Sequence, residues 1–224
     1  MSLAEVGLLL GLVLAAFVGA LPPLLGRWSD RQLHLFVAFG AGVFLGAVFF
    51  HLVPEAMAHQ PNLLTNAMIL IGFMAVLLVE RVLVVSRQVA GEMPGEQRHH
   101  IVGISAFVGL SLHSLAGGFV LGAGLIAPKL ALVLFLVVLS HKPVEGFTLA
   151  TVFRLSELPL RRSLVLLAIF AACTPVGVLL AVAVLNSLEG TYTAIPAALA
   201  AGTFIYVATM DLLPEAFHNQ QNRL

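Results

Sequence analysis

The chain has 224 residues; 60% are hydrophobic, 10% are charged, and the mean hydropathy is +1.04. A soluble domain of this length needs far more charge to cover its surface. The formal net charge of zero offers nothing to a nucleic acid, and the single cysteine, Cys173, excludes an internal disulfide.

A bilayer core of roughly 30 Å takes about 20 apolar helical residues. In chain order, the segments that qualify lie near 3–25, 31–55, 63–85, 101–125, 130–153, 163–187 and 194–215. The run from Leu3 to Leu25 lacks a basic n-region, its only early charge is Glu5, and it is longer than a usual signal-peptide core, so it reads as the first span. A lone strand would leave its backbone groups unpaired in lipid, so the expected fold is all-α and integral to the membrane, with about seven transmembrane helices. No low-complexity tract interrupts it, so residues 1–224 read as one transmembrane domain, with 86–100 as a cytoplasmic loop.

Basic residues set the expected orientation. Arg27, Arg31, Arg81, Arg87, Arg98, Arg154, Arg161, Arg162 and Arg223 fall on one side, and only Lys129 on the other. Nine against one predicts a multi-pass protein of the cell membrane, its N-terminus outside and its C-terminus in the cytoplasm. Lys142 belongs to neither set because it lies within a span.

Two segments 160 residues apart match. AGVFLGAVFFHLVPEA (41–56) and AGTFIYVATMDLLPEA (201–216) share seven residues without a gap. The second lies five spans after the first, an odd step, so the copies run in opposite directions. Inverted repeats of this kind recur in secondary transporters, whose sites lie near the midplane at broken helices.

Ionisable groups at membrane depth are costly and usually functional. His113 lies twelve residues into its span, about 18 Å deep at 1.5 Å per residue. His141 is similarly deep, and His141 and Glu145, at i and i+4, share a helix face. Two imidazoles and a carboxylate supply three ligands for a zinc-like ion. Nearby, Pro143 and Pro175 free the carbonyls of Leu139 and Ala171, and the glycines of span four (Gly103, Gly109, Gly117, Gly118, Gly122 and Gly124) permit close helix approach. The competing reading makes the two histidines polar packing residues and Glu145 a counter-ion for Lys142. Further from the centre, His51 and Glu55 lie at the outer end of span two, and Asp211, Glu215 and His218 at the inner end of span seven. These are candidate way-stations for a pathway. His99 and His100 are a candidate loop metal site. His34 and His59 read as interfacial, and Cys173 as an inert buried thiol.

At HSLAGGFVLG (113–122), HKPVEGFTLA (141–150) and the Pro-Glu ends HLVPEA and DLLPEA, the chain resembles the ZIP (Zrt-/Irt-like) family of divalent-metal transporters. The resemblance implies a ZIP-like helical bundle with inverted repeats that carries zinc, iron, manganese or cadmium toward the cytoplasm as substrate. It also implies that His113, His141 and Glu145 are the ligands of the primary metal site. Gly117 stands where many members have a fourth, acidic ligand. Ser114, Lys142 and Thr174 stand where two-metal members have Asn, an acid and Glu, so a second metal is not expected. Lys142 would place its ammonium there and compensate the charge of Glu145. The family usually has eight spans, whereas residues 216–224 are too few for another.

The expected function is therefore secondary transport of zinc or a similar divalent ion through a single site between spans four and five, not enzymatic catalysis. Partners are the metal ion and the lipid bilayer, with a homodimer left open. Two alternatives stand beside it: a non-transporting relative with a degenerate site, and a membrane-embedded metallohydrolase, which also needs His and acid ligands plus an open position for water.

Overall fold

The computed structural model describes residues 3–59, 62–88, 95–126, 128–185 and 194–217. Among them there is no strand. Seven helical rods follow one another: α1 (Leu3–Leu25), α2 (Asp30–Ala47, then Val48–Leu52 and Val53–His59), α3 (Leu63–Gln88), α4 (Gly95–Ile126), α5 (Pro128–Leu155), α6 (Leu160–Leu185) and α7 (Ala194–Tyr206, then Val207–Leu212 and Leu213–Phe217). Residues 95–100, expected in a loop, are the first turns of α4. Their sequence GEQRHH contains no proline, and the helix of the following apolar stretch continues back through it.

Among the described residues, six rods are long and apolar enough to cross a membrane; α5, with His141, Lys142 and Glu145 at its middle, is not one of them. It packs instead against α1, α2 and α4, which shelter its polar centre. A capping box starts α2: the Ser29 side chain accepts from the Gln32 N–H, and the Gln32 side chain accepts from the Ser29 N–H.

The closest helix pairs meet through glycines. A Cβ on Gly19 of α1 would strike the Pro143 carbonyl of α5, and one on Gly146 of α5 would strike the Ala16 carbonyl of α1. Gly118 of α4 and Gly177 of α6 lie just as close to the carbonyls of Thr174 and Leu115. Between α3 and α7 the pair is Gly72 and Gly202, against Leu199 and Ile69. Without a hydrophobic drive between helices in lipid, such backbone proximity supplies the van der Waals contact that holds them.

The inverted repeat has a backbone counterpart. Both copies widen into a π turn at matching places, Val48–Leu52 in α2 and Val207–Leu212 in α7. In each, an N–H reaches five residues back, Val53 to Val48 and Leu213 to Ala208, immediately before Pro54 or Pro214. Proline has no N–H and its ring crowds the carbonyl four residues earlier; one extra residue in the turn relieves that crowding. The copies differ in surroundings. In α7, 67% of the spanning window is buried, against 28% in α2.

The main apolar core lies toward the end of the bundle where α2 begins and α7 finishes, called here the Asp30/Phe217 end. It includes Val37, Phe44, Leu110, Leu149, Phe153, Phe204 and Val207.

Candidate metal centre

Neighbouring, antiparallel α4 and α5 build the site from the same frame. HSLAGG (113–118) and HKPVEG (141–146) place a histidine first and a glycine sixth. The sixth-place glycines, Gly118 and Gly146, bring α6 and α1 against the backbone. One turn before them, His113 and His141 face each other with ring centroids 6.1 Å apart.

Glu145 joins the two. Its Oε1 lies 3.4 Å from His113 Nε2 and 3.3 Å from His141 Nε2. The three ligand atoms fall within 4.8 Å of one another. Four ligands at about 2.0–2.1 Å around a tetrahedral zinc ion are separated by roughly 3.3–3.4 Å, so both His–Glu spacings fit adjacent corners of that polyhedron. His113 Nδ1 lies 3.1 Å from the carbonyl oxygen of Ala200 in α7. A carbonyl only accepts, so the hydrogen is on Nδ1 and the Nε2 lone pair faces Glu145 and the space a metal would fill. His113 and Glu145 are almost fully buried; His141 keeps 14% of its side chain exposed.

The second carboxylate oxygen faces a cation. Lys142 Nζ donates to Glu145 Oε2 at 2.9 Å and to Ser114 Oγ, and sits 4.2 Å from the centroid of the Phe170 ring. Ser114 Oγ also shares a hydrogen bond with Thr174 Oγ1, 2.8 Å away. Lys142, Ser114 and Thr174 thus converge next to the three candidate ligands. A carboxylate, a hydroxyl and an aromatic face surround an ammonium whose own exposure is 1%, which is the company a buried charge needs. Gly117, at the place in α4 that Glu145 takes in α5, has open space where a Cβ would be.

The remaining expected residues do not join this group. His51, on the π turn of α2, is half-buried and within electrostatic range of His141. Asp211 is buried toward the other end; its Oδ1 accepts from Ser105 Oγ at 3.1 Å, and its Oδ2 has no hydrogen-bond partner among the described residues. Glu215 is buried with its Oε1 3.8 Å from His34 Nε2. His34 is 9% exposed, held against α7, because the start of α2 packs on the end of α7. Cys173 is not buried inertly either; it is partly exposed and donates to the Ile169 carbonyl of its own helix at 3.3 Å. His218 and the side chains of Glu55, His59, His99 and His100 lie outside the described residues.

Several contributors carried no signal in the sequence. Phe204 lies face to face with His113 at 3.2 Å between centroids, and Phe44 stacks on Phe204 at 4.7 Å. An apolar residue in an apolar helix is unremarkable until its neighbour is known; only the shared Phe of the repeat hinted at this pair.

The family model for the ZIP zinc transporters matches residues 2–100 and 87–224. The chain belongs to the ZIP zinc transporter family. Among its relatives are zinc transporter 3 of Arabidopsis thaliana, 28% identical over 92% of this chain and 72% of that protein. The zinc transporter ZIP1 of Takifugu rubripes is 25% identical over 86% of this chain and 79% of its own length. The zinc transporter ZIP9 of Xenopus tropicalis is 25% identical over 92% and 82%. This ZIP chain is thus an all-α, multi-pass membrane protein of a transporter family rather than an enzyme.

Proposed function

We propose that this ZIP protein carries zinc or a similar divalent ion across the membrane toward the cytoplasm, one ion at a time, at His113, His141 and Glu145. In this reading residues 1–224 act as one transmembrane domain, α5 is a seventh span shielded by its neighbours, and the N-terminus faces outside. The observation that carries it is the meeting of both imidazole Nε2 atoms on one carboxylate oxygen at 3.3–3.4 Å, with His113 and Glu145 almost fully buried. A three-ligand set leaves a coordination position for water, so the ion is held without being locked in.

Lys142 takes the place of a second cation. With its ammonium on Glu145 Oε2, the carboxylate is part-neutralised before any metal arrives, and a doubly charged guest meets less net negative charge. That loosens the hold on the ion and favours its release. Thr174 and Ser114 complete the lysine's seat and leave no acid for a second metal.

Radiolabelled zinc uptake into proteoliposomes tests this. Uptake should saturate with zinc concentration and disappear in His113→Ala. Absence of uptake by a well-folded parent protein would leave a metal-binding relative that does not transport. Equal uptake by His113→Ala would move the site elsewhere.

A further inference from the structure

Phe44 and Phe204 hold the same position in the two repeat copies, three residues after Ala41 and Ala201. Their rings stack on each other at 4.7 Å and 10° between planes. Beyond this the symmetry ends. Phe204 also lies parallel to His113, at 3.2 Å and 11°, and presents an edge-on contact to His141 at 6.1 Å. One ring therefore walls two of the three candidate ligands, and the second ring stands behind it. Both phenylalanines are fully buried.

We propose that Phe204, backed by Phe44, is the gate that closes the metal site toward the Asp30/Phe217 end of the bundle. This rests on the transport reading above, because a gate presupposes a path. On that side of the pair the interior is filled by Val37, Ala41, Leu110, Leu149, Val207 and Ala208, all buried in one cluster. An acidic group in that direction is Asp211, seven residues from Phe204 and so about 10 Å along α7. It is buried, with one carboxylate oxygen unpartnered among the described residues. His51 lies the same number of residues from Phe44 in the opposite direction, toward the other end. An ion moving from His51 past the site to Asp211 has to cross the plane of the two rings.

An apolar layer is an effective barrier because a divalent ion cannot shed its hydration into hydrocarbon without replacement ligands. Opening it requires the rings to part. Each phenylalanine stands three or four residues before a π turn, at Val48 and Val207, where the regular hydrogen-bond ladder is already interrupted and a helix bends most readily. The same backbone device in each copy gives each half of the ring pair its own point of flexure.

The gate can be read by thiol access, without transport. In a Cys173→Ser background, Ala208→Cys places a reporter one turn beyond Phe204 on the sealed side, and Ala20→Cys places one in the same core on α1. Purified metal-free protein in lipid nanodiscs is reacted with a small water-soluble maleimide. In the parent both reporters should react slowly. Phe204→Ala should speed the reaction at position 208 by roughly tenfold or more, as expected when a local barrier to opening is removed, and leave position 20 slow. Phe44→Ala should act in the same direction, and Phe204→Leu, which keeps an apolar plug, should stay near the parent. An unchanged rate at 208 in Phe204→Ala overturns the gate. Equal acceleration at 208 and 20 also overturns it, since the core would then have loosened as a whole. Failure of zinc uptake by the parent would count against transport and would not alter the labelling result.

Discussion

The two halves of the metal centre, one on α4 and one on α5, start from the same six-residue frame and end with different chemistry. Each supplies a histidine, and each ends on a glycine that lets another helix touch its backbone. Between these, α5 carries both charges, Lys142 and Glu145, and α4 carries a hydroxyl and an open space, Ser114 and Gly117. Geometry is duplicated while charge is concentrated on one side. The α4 half would thus set position, through the Ala200 carbonyl and the Phe204 ring, and the α5 half would set affinity.

The sharpest way to break this comparison is Glu145→Gln. It removes the negative charge and turns one of the two carboxylate oxygens into an amide NH2, so either the imidazoles or Lys142 lose the oxygen they face. Zinc affinity by isothermal titration should fall by more than the roughly 10–100-fold that loss of a ligand's outer partner costs, whereas Gly117→Ala should leave it unchanged. Comparable losses in both would place the affinity on α4 as well.

Lys142→Ala separates the two charges of α5. Opposite charges at about 4 Å interact by roughly 4 kcal/mol at an effective dielectric near 20, so zinc should bind tighter and leave more slowly once the ammonium is gone. Losing one partner of a buried pair costs about 3–5 kcal/mol, so the thermal midpoint of metal-free protein should drop and zinc should recover part of it. A lower midpoint with unaltered affinity would make Lys142 a tie between helices only.

The shared half of the frame should respond symmetrically. Gly118→Ala and Gly146→Ala each push a methyl into a neighbouring carbonyl, of Thr174 and of Ala16. Overpacking of this kind typically costs about 1–3 kcal/mol, and the two losses, read by thermal melting in detergent, should be alike. A tolerant Gly118 beside an intolerant Gly146 would end the equivalence of the two packing sites.

The smallest expected change restores charge to α4. Gly117→Asp has room for its side chain and adds a carboxylate one turn from His113. Because the new ligand replaces a water, zinc should bind only a few-fold tighter, roughly 1 kcal/mol or less at the exchange rate of 1.4 kcal/mol per decade. Weaker binding would mean that the added acid draws Lys142 away from Glu145.

Much of the site was legible before any coordinates. Helix rise puts His113 and His141 at one depth, and the i, i+4 spacing puts Glu145 beside His141. The repeat was visible as matched letters, Pro-Glu above all. The π turns were not, because proline demands relief of the carbonyl behind it without specifying its form. His34 looked interfacial from its distance to the start of its span, and only the packing of α2 on α7 brings it to Glu215. The start of α4 at Gly95 was hidden as well, since polar residues at a helix end read like a loop.

The sequence by itself determined the solvent, the helical architecture and the side chains able to hold a metal. Those follow from composition, from the length needed to cross hydrocarbon, and from the cost of burying ionisable groups without a use. Tertiary structure alone decided which carbonyl orients His113, which ring covers it, and which face of an aromatic seats Lys142. Such choices depend on rotation and contact between helices far apart in the chain, and within an apolar helix no residue type announces which neighbour it will meet.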